Sequence, residues 1–159
     1  MNVKFSTKFV AASAAAVMAL SLAGCSGGSM DDSSSSSAKA SGDSITIGTV
    51  TTNSGTAAAY GEAEVKGFEL AVSEINAKGG INGKKVKLES MDDKGDATEA
   101  SNAYNKLAGD NNVLAVAGPT ISATTAAVAP LADQSKLVTI APAATSDSIE
   151  TGGYMFRTC

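Results

Sequence analysis

After about residue 43, short apolar or β-branched runs alternate along the chain with longer segments of widely spaced apolar positions. Apolar runs bounded by turn residues predict buried strands, and alternating apolar and polar positions predict a half-exposed strand. The predicted strands are Ile45–Val50, a half-exposed strand around Val86 and Leu88, Val113–Ala117 and Leu137–Ala141.

Two amphipathic segments separate the first three predicted strands. Apolar residues recur at three- and four-residue steps over Gly61–Lys78, and Gly79-Gly80 follows, which predicts a helix that ends at glycine. Asp96 stands three residues before Glu99 at the start of a second apolar stripe, a spacing that resembles a capping box. A second helix is therefore predicted after Asp96.

The segment GPTISATT, residues 118–125, leads from the third predicted strand into a third predicted helix. Gly118-Pro119 predicts a bend, and Ser122 is the expected N-cap of the helix. Pro130 lies inside the helical pattern. Because proline has no backbone N–H, it is expected to kink this helix or delay its start.

Strands that alternate with helices at this spacing predict an α/β fold with a parallel sheet and helices on both faces. In such sheets ligands bind beyond the carboxyl ends of the strands. That rule places three loop segments on one rim, namely 51–60, 118–125 and 142–146. The rim is rich in hydroxyl groups, and its candidate ligand-binding residues are Ser54, Tyr60, Ser122, Thr124 and Thr145.

Neutral hydrogen-bond donors dominate this rim, and such donors at a helix start favour a small anion. Arg157 is the domain's single arginine and lies near the chain end, so a weakly charged carboxylate fits better than a phosphate. Tyr60 offers a flat apolar face to a ligand side chain. Helix capping would by itself explain Ser122, so the prediction depends on the convergence of the whole set.

Residues 1–24 have the layout of a secretory signal peptide, with two lysines before an apolar run. The residues LAGC at 22–25 resemble a bacterial lipobox, which makes Cys25 the predicted lipidation site. The serine-rich residues 25–42 predict a flexible tether. Residues 43–159 are long enough for one small domain.

Composition excludes several classes of function. The chain has no histidine, which excludes Ser-His and Cys-His catalysis and His-ligated metal sites. Removal of the signal peptide takes away two lysines and no acid, so the net charge moves from −4 to −6 and disfavours nucleic acid as a partner. No cofactor is expected, because the GxGxxG fingerprint is missing and Gly79–Lys84 lacks the spacing of a phosphate-binding loop.

No metal site is predicted either. Asp92, Asp93 and Asp96 do not have the spacing of an EF-hand and are interpreted as a polar turn followed by a helix cap. Cys25 and Cys159 are the only cysteines. If Cys25 is a thioether, no disulfide can form within the chain.

Several stretches together carry a family resemblance: SG at 54–55, YG at 60–61, GFELAVSEINAKGGINGKKVKL at 67–88, MDD at 91–93, VAGPTISATT at 116–125 and TIAPAAT at 139–145. They resemble the N-terminal lobe of the branched-chain amino acid binding proteins of ABC importers, the Leu/Ile/Val-binding type of periplasmic binding fold type I. With LAGC, the resemblance covers most of the chain. It implies a lipid-anchored solute-binding protein on the extracytoplasmic face of the cell membrane, and no enzyme.

The resemblance also implies a ligand and residue roles. The expected function is reversible capture of a branched-chain or similar aliphatic amino acid for an ABC permease and its ATPase. Ser122 and Thr145 would bind the ligand carboxylate through a side-chain hydroxyl and a backbone N–H. The carbonyl of Ala143 and the hydroxyl of Thr145 would contact the ammonium group, and Tyr60 would line the pocket.

The chain departs from the family pattern in two respects. The disulfide of some relatives would join the loop near Gly95 to the loop near Ile121, and neither position is cysteine here. Relatives are longer and close a second lobe over the ligand, so the chain is expected to be an incomplete N-terminal lobe with an unpaired sheet edge and an uncovered apolar face. Residues 25–159 alone are therefore expected not to bind an amino acid tightly.

Other functions stay open at this point. Side-chain specificity in this family depends largely on the second lobe, so a receptor of the same fold for urea, short amides or aromatic acids is an alternative. An extracellular ligand-sensing domain or an extracellular α/β enzyme is a further alternative. An enzyme would need a nucleophile with a base, and a sensor would need a signalling module.

Overall fold

The computed structural model describes residues 44–149 and 152–159. The predicted signal peptide, the lipidation site Cys25 and the tether lie outside the described residues. Within them, no helix is both long and apolar enough to cross a membrane.

The described residues form an α/β fold in which strands and helices alternate. The elements are β1 (Ser44–Thr51), α1 (Ala58–Ala77), β2 (Lys85–Asp92), α2 (Ala97–Ala108), β3 (Val113–Ala117), α3 (Ser122–Ser135), β4 (Thr139–Ala141) and β5 (Met155–Arg157). The strands form one sheet in the order β2-β1-β3-β4-β5, and every neighbouring pair is parallel. The predicted fold class is confirmed.

Helices cover both faces of this sheet. The chain moves from β1 to β2 in one direction across the sheet and from β2 to β3 in the other, so right-handed crossovers place α1 and α2 on opposite faces. Helix α1 contacts β1 and β2, whereas α2 packs against α3 and contacts β1, β2 and β3.

The core lies between the sheet and the α2–α3 layer. Its large buried side chains are Val50, Tyr104, Leu107, Val116, Val128 and Met155. Burial of each apolar side chain contributes roughly 1.5 to 3 kcal/mol. The buried Tyr104 hydroxyl keeps hydrogen-bond partners, since Thr139 Oγ1 lies 3.2 Å and Ser135 Oγ 3.0 Å away.

The four predicted strands are present, and the structure adds one that the sequence did not predict. Strand β4 starts at Thr139, two residues later than predicted. The additional strand β5 pairs with β4 from Met155 to Arg157. A strand of three residues is too short to show an alternating pattern, so the sequence did not predict β5.

The cap of α2 matches its prediction. The Asp96 carboxylate accepts hydrogen bonds from the N–H groups of Thr98 at 2.8 Å and Glu99 at 3.0 Å. The reciprocal half of a capping box is not formed by Glu99, whose carboxylate instead lies 3.8 Å from Lys94 Nζ.

The start of α3 differs from its prediction. The N-cap is Ile121, and Ser122 is the first residue of the helix, so the prediction of Ser122 as the cap is wrong. The Ser122 hydroxyl accepts a hydrogen bond from the distant Ser146 N–H instead of from its own helix. Pro130 lies inside α3 and does not delay the start of the helix.

One part of the sheet is uncovered on the α1 side. Thr139 and Met155 are buried towards α2 and α3, so the residues that follow them, Ile140 and Phe156, point to the opposite face. They are 42% and 45% exposed, and Val138 just before β4 is 38% exposed. Helix α1 covers β1 and β2 only, which leaves this apolar face of β4 and β5 open.

Candidate functional site

The loops after β1, β3 and β4 meet at the carboxyl end of the sheet, where they surround a cavity of about 350 Å³. The residues that line it are Ala57, Tyr60, Thr120, Ile121, Ser122, Ala143 and Thr145. Tyr60, Ser122, Ala143 and Thr145 are among the six residues predicted from the sequence. Parallel strands bring these residues together from three distant parts of the chain.

Close approach of the backbone at two glycines positions this cavity. A Cβ at Gly118 would lie 1.9 Å from the Val50 carbonyl oxygen, and the φ angle of Gly118 is +114°. A Cβ at Gly61 would lie 2.0 Å from the Thr52 carbonyl oxygen. Only glycine allows the loop after β3 and the first turn of α1 to lie this close to the end of β1.

The start of α3 supplies hydrogen-bond donors. The first N–H groups of an α-helix have no partner within the helix and carry a partial positive charge. Thr125 N–H makes the first helical bond, to the Ile121 carbonyl at 3.0 Å, which leaves the preceding N–H groups at the edge of the cavity. Ser122 Oγ lies beside them and accepts from Ser146 N–H at 3.2 Å. This corner can hold a small carboxylate.

Tyr60 forms the outer wall of the cavity. It lies in the first turn of α1, and its side chain is 66% exposed. An exposed ring at a cavity rim offers an apolar face to a ligand side chain. Ile121 adds a second apolar group to the cavity lining.

Thr124 and Ser54 lie outside the cavity lining. Thr124 is fully buried, and its hydroxyl donates to the Ile121 carbonyl at 3.0 Å, a common bond for threonine in a first helical turn. The Ser54 hydroxyl donates to the carboxylate of Asp92, the last residue of β2. Both hydroxyls support loops at the rim.

Hydrogen bonds to Asp92 order the loop after β2. Partial burial would raise the pKa of Asp92, but hydrogen bonds from the Lys94 N–H, the Ser54 hydroxyl and the Asn53 N–H, together with the Lys94 charge, lower it below its usual value. The Asn53 and Lys94 N–H groups lie 2.9 and 2.8 Å from Asp92 Oδ1. The predicted polar turn is present. Among the described residues, no three His, Cys, Asp or Glu side chains are placed to hold a metal ion.

A hydrogen-bond network that the sequence did not predict lies beneath the cavity. The Thr120 hydroxyl donates to Glu64 Oε2 at 2.6 Å and accepts from Thr52 N–H at 3.0 Å. The Thr52 hydroxyl donates to Asp93 Oδ1 at 2.6 Å. The network therefore joins α1, the end of β1, the end of β2 and the loop after β3.

The two carboxylates of this network are incompletely satisfied. Glu64 Oε1 and Asp93 Oδ2 are buried and have no hydrogen-bond partner. Burial raises the pKa of Glu64, the Thr120 hydrogen bond partly offsets that effect, and the nearby Asp93 charge adds to the rise. Negative charge is therefore poorly solvated directly beneath the cavity.

The sequence of this chain matches a known protein family. The family model described as "periplasmic binding protein" matches residues 44–159. The chain belongs to the periplasmic binding protein family. The Leu/Ile/Val-binding protein BraC3 of Rhizobium johnstonii is 38% identical to it over 117 residues, which cover 72% of this chain and 32% of that protein.

Solved structures of substrate-binding and solute-binding proteins of transporters have the same fold. LivJ of Streptococcus pneumoniae, a branched-chain amino acid transporter substrate-binding protein in complex with isoleucine, matches with a TM-score of 0.68 and 42% identity over 72% of this chain and 33% of that one. A solute-binding protein of Rhodopseudomonas palustris in complex with 3,4-dihydroxybenzoic acid matches with a TM-score of 0.67 and 26% identity over 74% and 32%. The chain thus spans about a third of the length of the relatives it matches.

Proposed function

We propose that this periplasmic binding protein chain is part of an extracytoplasmic solute-binding component of an ABC importer that captures a branched-chain or similar aliphatic amino acid. One observation carries the proposal: Tyr60, Ser122, Ala143 and Thr145 line a single cavity at the carboxyl end of the sheet. The cavity combines donors at the start of α3 with apolar walls, as an α-carboxylate attached to an aliphatic side chain requires.

In this proposal each polar group has a role. The Ser122 hydroxyl, the N–H groups at the start of α3 and the Thr145 N–H bind the carboxylate. The Ala143 carbonyl and the Thr145 hydroxyl accept from the ammonium group. Each hydrogen bond to a charged group contributes about 1.5 to 3 kcal/mol, so a few of them are enough for micromolar affinity once the site is enclosed.

The proposed action is reversible binding without chemistry. The residues that line the cavity offer hydroxyls, backbone groups and apolar side chains, and the chain has no histidine to serve as a base. The relatives named above are described as binding proteins or transporter components, which supports the same conclusion.

The proposed partners are an ABC permease with its ATPase, and a membrane through a lipid anchor. The anchor proposal rests on LAGC at 22–25 and the serine-rich segment that follows, which would attach the protein through Cys25 to the outer face of the cell membrane. Globomycin, which blocks cleavage of lipoprotein signal peptides, should cause an unprocessed precursor to accumulate. Cys25→Ala should release the protein from the membrane fraction.

An aromatic acid is the second candidate ligand. It is supported by the neighbour solved with 3,4-dihydroxybenzoic acid, whose fold this chain shares. An aromatic acid would use the same carboxylate corner and would stack on Tyr60.

Calorimetry on the full chain, as expressed from its own gene, tests the proposal with leucine, isoleucine, valine and 3,4-dihydroxybenzoate. Ser122→Ala and Thr145→Ala should each weaken amino acid binding by about 1 to 3 kcal/mol. Ser73→Ala removes an exposed hydroxyl elsewhere on α1 and should leave affinity unchanged. Unchanged affinity in both site variants would show that the ligand binds elsewhere.

A further inference from the structure

Two carboxylates beneath the cavity, the half-buried Glu64 and the buried Asp93, carry charge that the neutral lining of the cavity does not show. Glu64 lies one helical turn after Tyr60 on α1, and its carboxylate is joined to the cavity-lining Thr120 by a 2.6 Å hydrogen bond. Asp93 is fully buried and joins the same network through the Thr52 hydroxyl.

Nothing cationic is seen to neutralise these groups in the described segments. The hydrogen bonds to Glu64 and Asp93 come from the hydroxyls of Thr120 and Thr52 and from the Gly95 N–H. One oxygen of each carboxylate is buried without a hydrogen-bond partner. Charges in such surroundings are weakly screened, so they act over longer distances than charges at an exposed surface.

The two carboxylates therefore make a negative contribution to the potential in the cavity, against the positive contributions of the α3 start and of Arg157, whose guanidinium donates to the Ala144 and Ser146 carbonyls. An amino acid has no net charge and brings an ammonium group that the two carboxylates attract. A carboxylic acid without an ammonium group has a net charge of about −1 at neutral pH, and its whole charge is repelled. The hydrogen-bond donors at the start of α3 serve the carboxylate of both ligands, so they do not distinguish the two.

We propose that Glu64, which lies behind Thr120 and is reinforced by Asp93, is a specificity-determining residue that excludes carboxylate ligands without an ammonium group and so selects zwitterionic amino acids. The inference rests on the proposed function and deepens it, because it chooses between the two candidate ligand classes. Glu64 acts by charge through the cavity wall and need not contact the ligand.

Two ligands that differ only in the ammonium group test this inference. Leucine and 4-methylpentanoate share the carboxylate and the branched side chain. Calorimetry on the full chain near pH 7.5 gives the ratio of their affinities, and in the wild type leucine should bind more tightly. Glu64→Gln preserves the shape and the acceptor for Thr120 but removes the charge, and it should reduce the ratio about five- to tenfold.

Control variants separate charge from structure. Glu62→Gln removes the same charge from an exposed position on α1, where water screens it, and should leave the ratio unchanged. Asp93→Asn removes the second buried charge and should reduce the ratio as Glu64→Gln does. If circular dichroism shows that Glu64→Gln does not fold, Asp93→Asn is the variant that tests the inference. If Glu64 had only a structural role, its substitution would weaken the binding of both ligands equally and leave the ratio of their affinities unchanged.

The possible outcomes are distinguishable. A wild type that prefers leucine, with a reduced ratio in Glu64→Gln or Asp93→Asn, supports the inference. An unchanged ratio in folded variants overturns the inference and leaves amino acid capture standing. A wild type that binds 4-methylpentanoate or 3,4-dihydroxybenzoate more tightly than leucine overturns both the charge selection and the amino acid ligand. The titrations extend to roughly millimolar ligand so that weak binding is also detected, and a wild type that binds none of these ligands overturns the proposed function, and the inference with it.

Discussion

Gly118 shows how a single residue positions the candidate site. It lies between β3 and the start of α3, with its Cα so close to β1 that a methyl group would overlap the Val50 carbonyl. The sequence suggested only a bend at this point. The contact that makes glycine necessary comes from a strand about 70 residues earlier, which no local pattern reveals.

Gly118→Ala should therefore destabilise the fold by about 2 to 3 kcal/mol, since it adds both a steric overlap and an unfavourable positive φ. Gly67→Ala is the matched control. A Cβ at Gly67 in α1 would meet nothing within 4 Å, and alanine there should stabilise the helix by roughly 0.5 to 1 kcal/mol. Urea unfolding compares the two variants, and equal effects would contradict the close approach at Gly118.

Asp92 predicts a pH dependence of stability. The pKa of Asp92 in the folded state is below its usual value near 3.8. The ionised carboxylate therefore stabilises the fold above pH 3.8, and this stabilisation is lost as the pH falls through the folded-state pKa. Asp92→Asn should be less stable than the wild type near neutral pH and should lose less stability on acidification to about pH 2.5. Urea unfolding at several pH values measures this.

Asp147→Asn, which removes an exposed carboxylate from the loop after β4, is the control for Asp92→Asn. Parallel pH profiles of the wild type and Asp92→Asn would contradict the role given to the Asp92 hydrogen bonds.

Ionisation of Glu64 is expected to change the stability of the fold in the opposite direction to ionisation of Asp92. The raised pKa of Glu64 means that its ionisation costs stability as the pH rises above its usual value near 4.5.

At the scale of elements, α1 and α2 were predictable because they carry long periodic patterns, and β1 and β3 because they are apolar or β-branched runs bounded by turn residues. The observed α1 begins three residues before the predicted Gly61, and β3 matches its predicted bounds. The shortened β4 and the unpredicted β5 are each three residues long, and their existence depends on pairing with a neighbour. The start of α3 was placed one residue late because Ser122 is a good capping residue whose hydroxyl is used elsewhere.

The α2 cap gives a prediction at this scale. Asp96→Ala removes an acceptor for two N–H groups and should cost about 1 kcal/mol in the free energy of unfolding. Asp96→Asn keeps a capping side chain and should retain most of the stability. Denaturant midpoints at neutral pH measure the difference, and an alanine variant as stable as the wild type would show that the cap contributes nothing.

At the scale of the whole molecule, the sequence predicted which loops share a rim, but it did not predict the charged network beneath the cavity at that rim. Parallel topology by itself predicts that the three loops share one rim, and the cavity unites them as expected. The buried network joins residues 41 to 68 positions apart, through contacts that depend on the packing of α1 on the sheet. Thr120 lies in the rim segment 118–125, but no local pattern pairs it with Glu64 on α1, so only the fold reveals their hydrogen bond.

The open apolar face of β4 and β5 predicts self-association of residues 26–159 expressed alone. Ile140 and Phe156 are each more than 40% exposed on this face, and exposed apolar surface of this kind favours association. Sedimentation velocity should show a concentration-dependent increase in size. The double variant Ile140→Thr and Phe156→Thr should reduce it, whereas Leu70→Thr, at an exposed leucine on α1, should not. Monomeric wild type at high concentration would contradict the prediction.

The bond between Ser146 N–H and Ser122 Oγ has a practical consequence. A carboxylate that recruits the Ser122 hydroxyl competes for the atom that now receives the Ser146 proton, so occupancy of the cavity changes the environment of one backbone amide. The chain therefore contains its own spectroscopic reporter: in a ¹⁵N-labelled sample, the Ser146 resonance should move on titration with ligand, without any added dye or engineered probe.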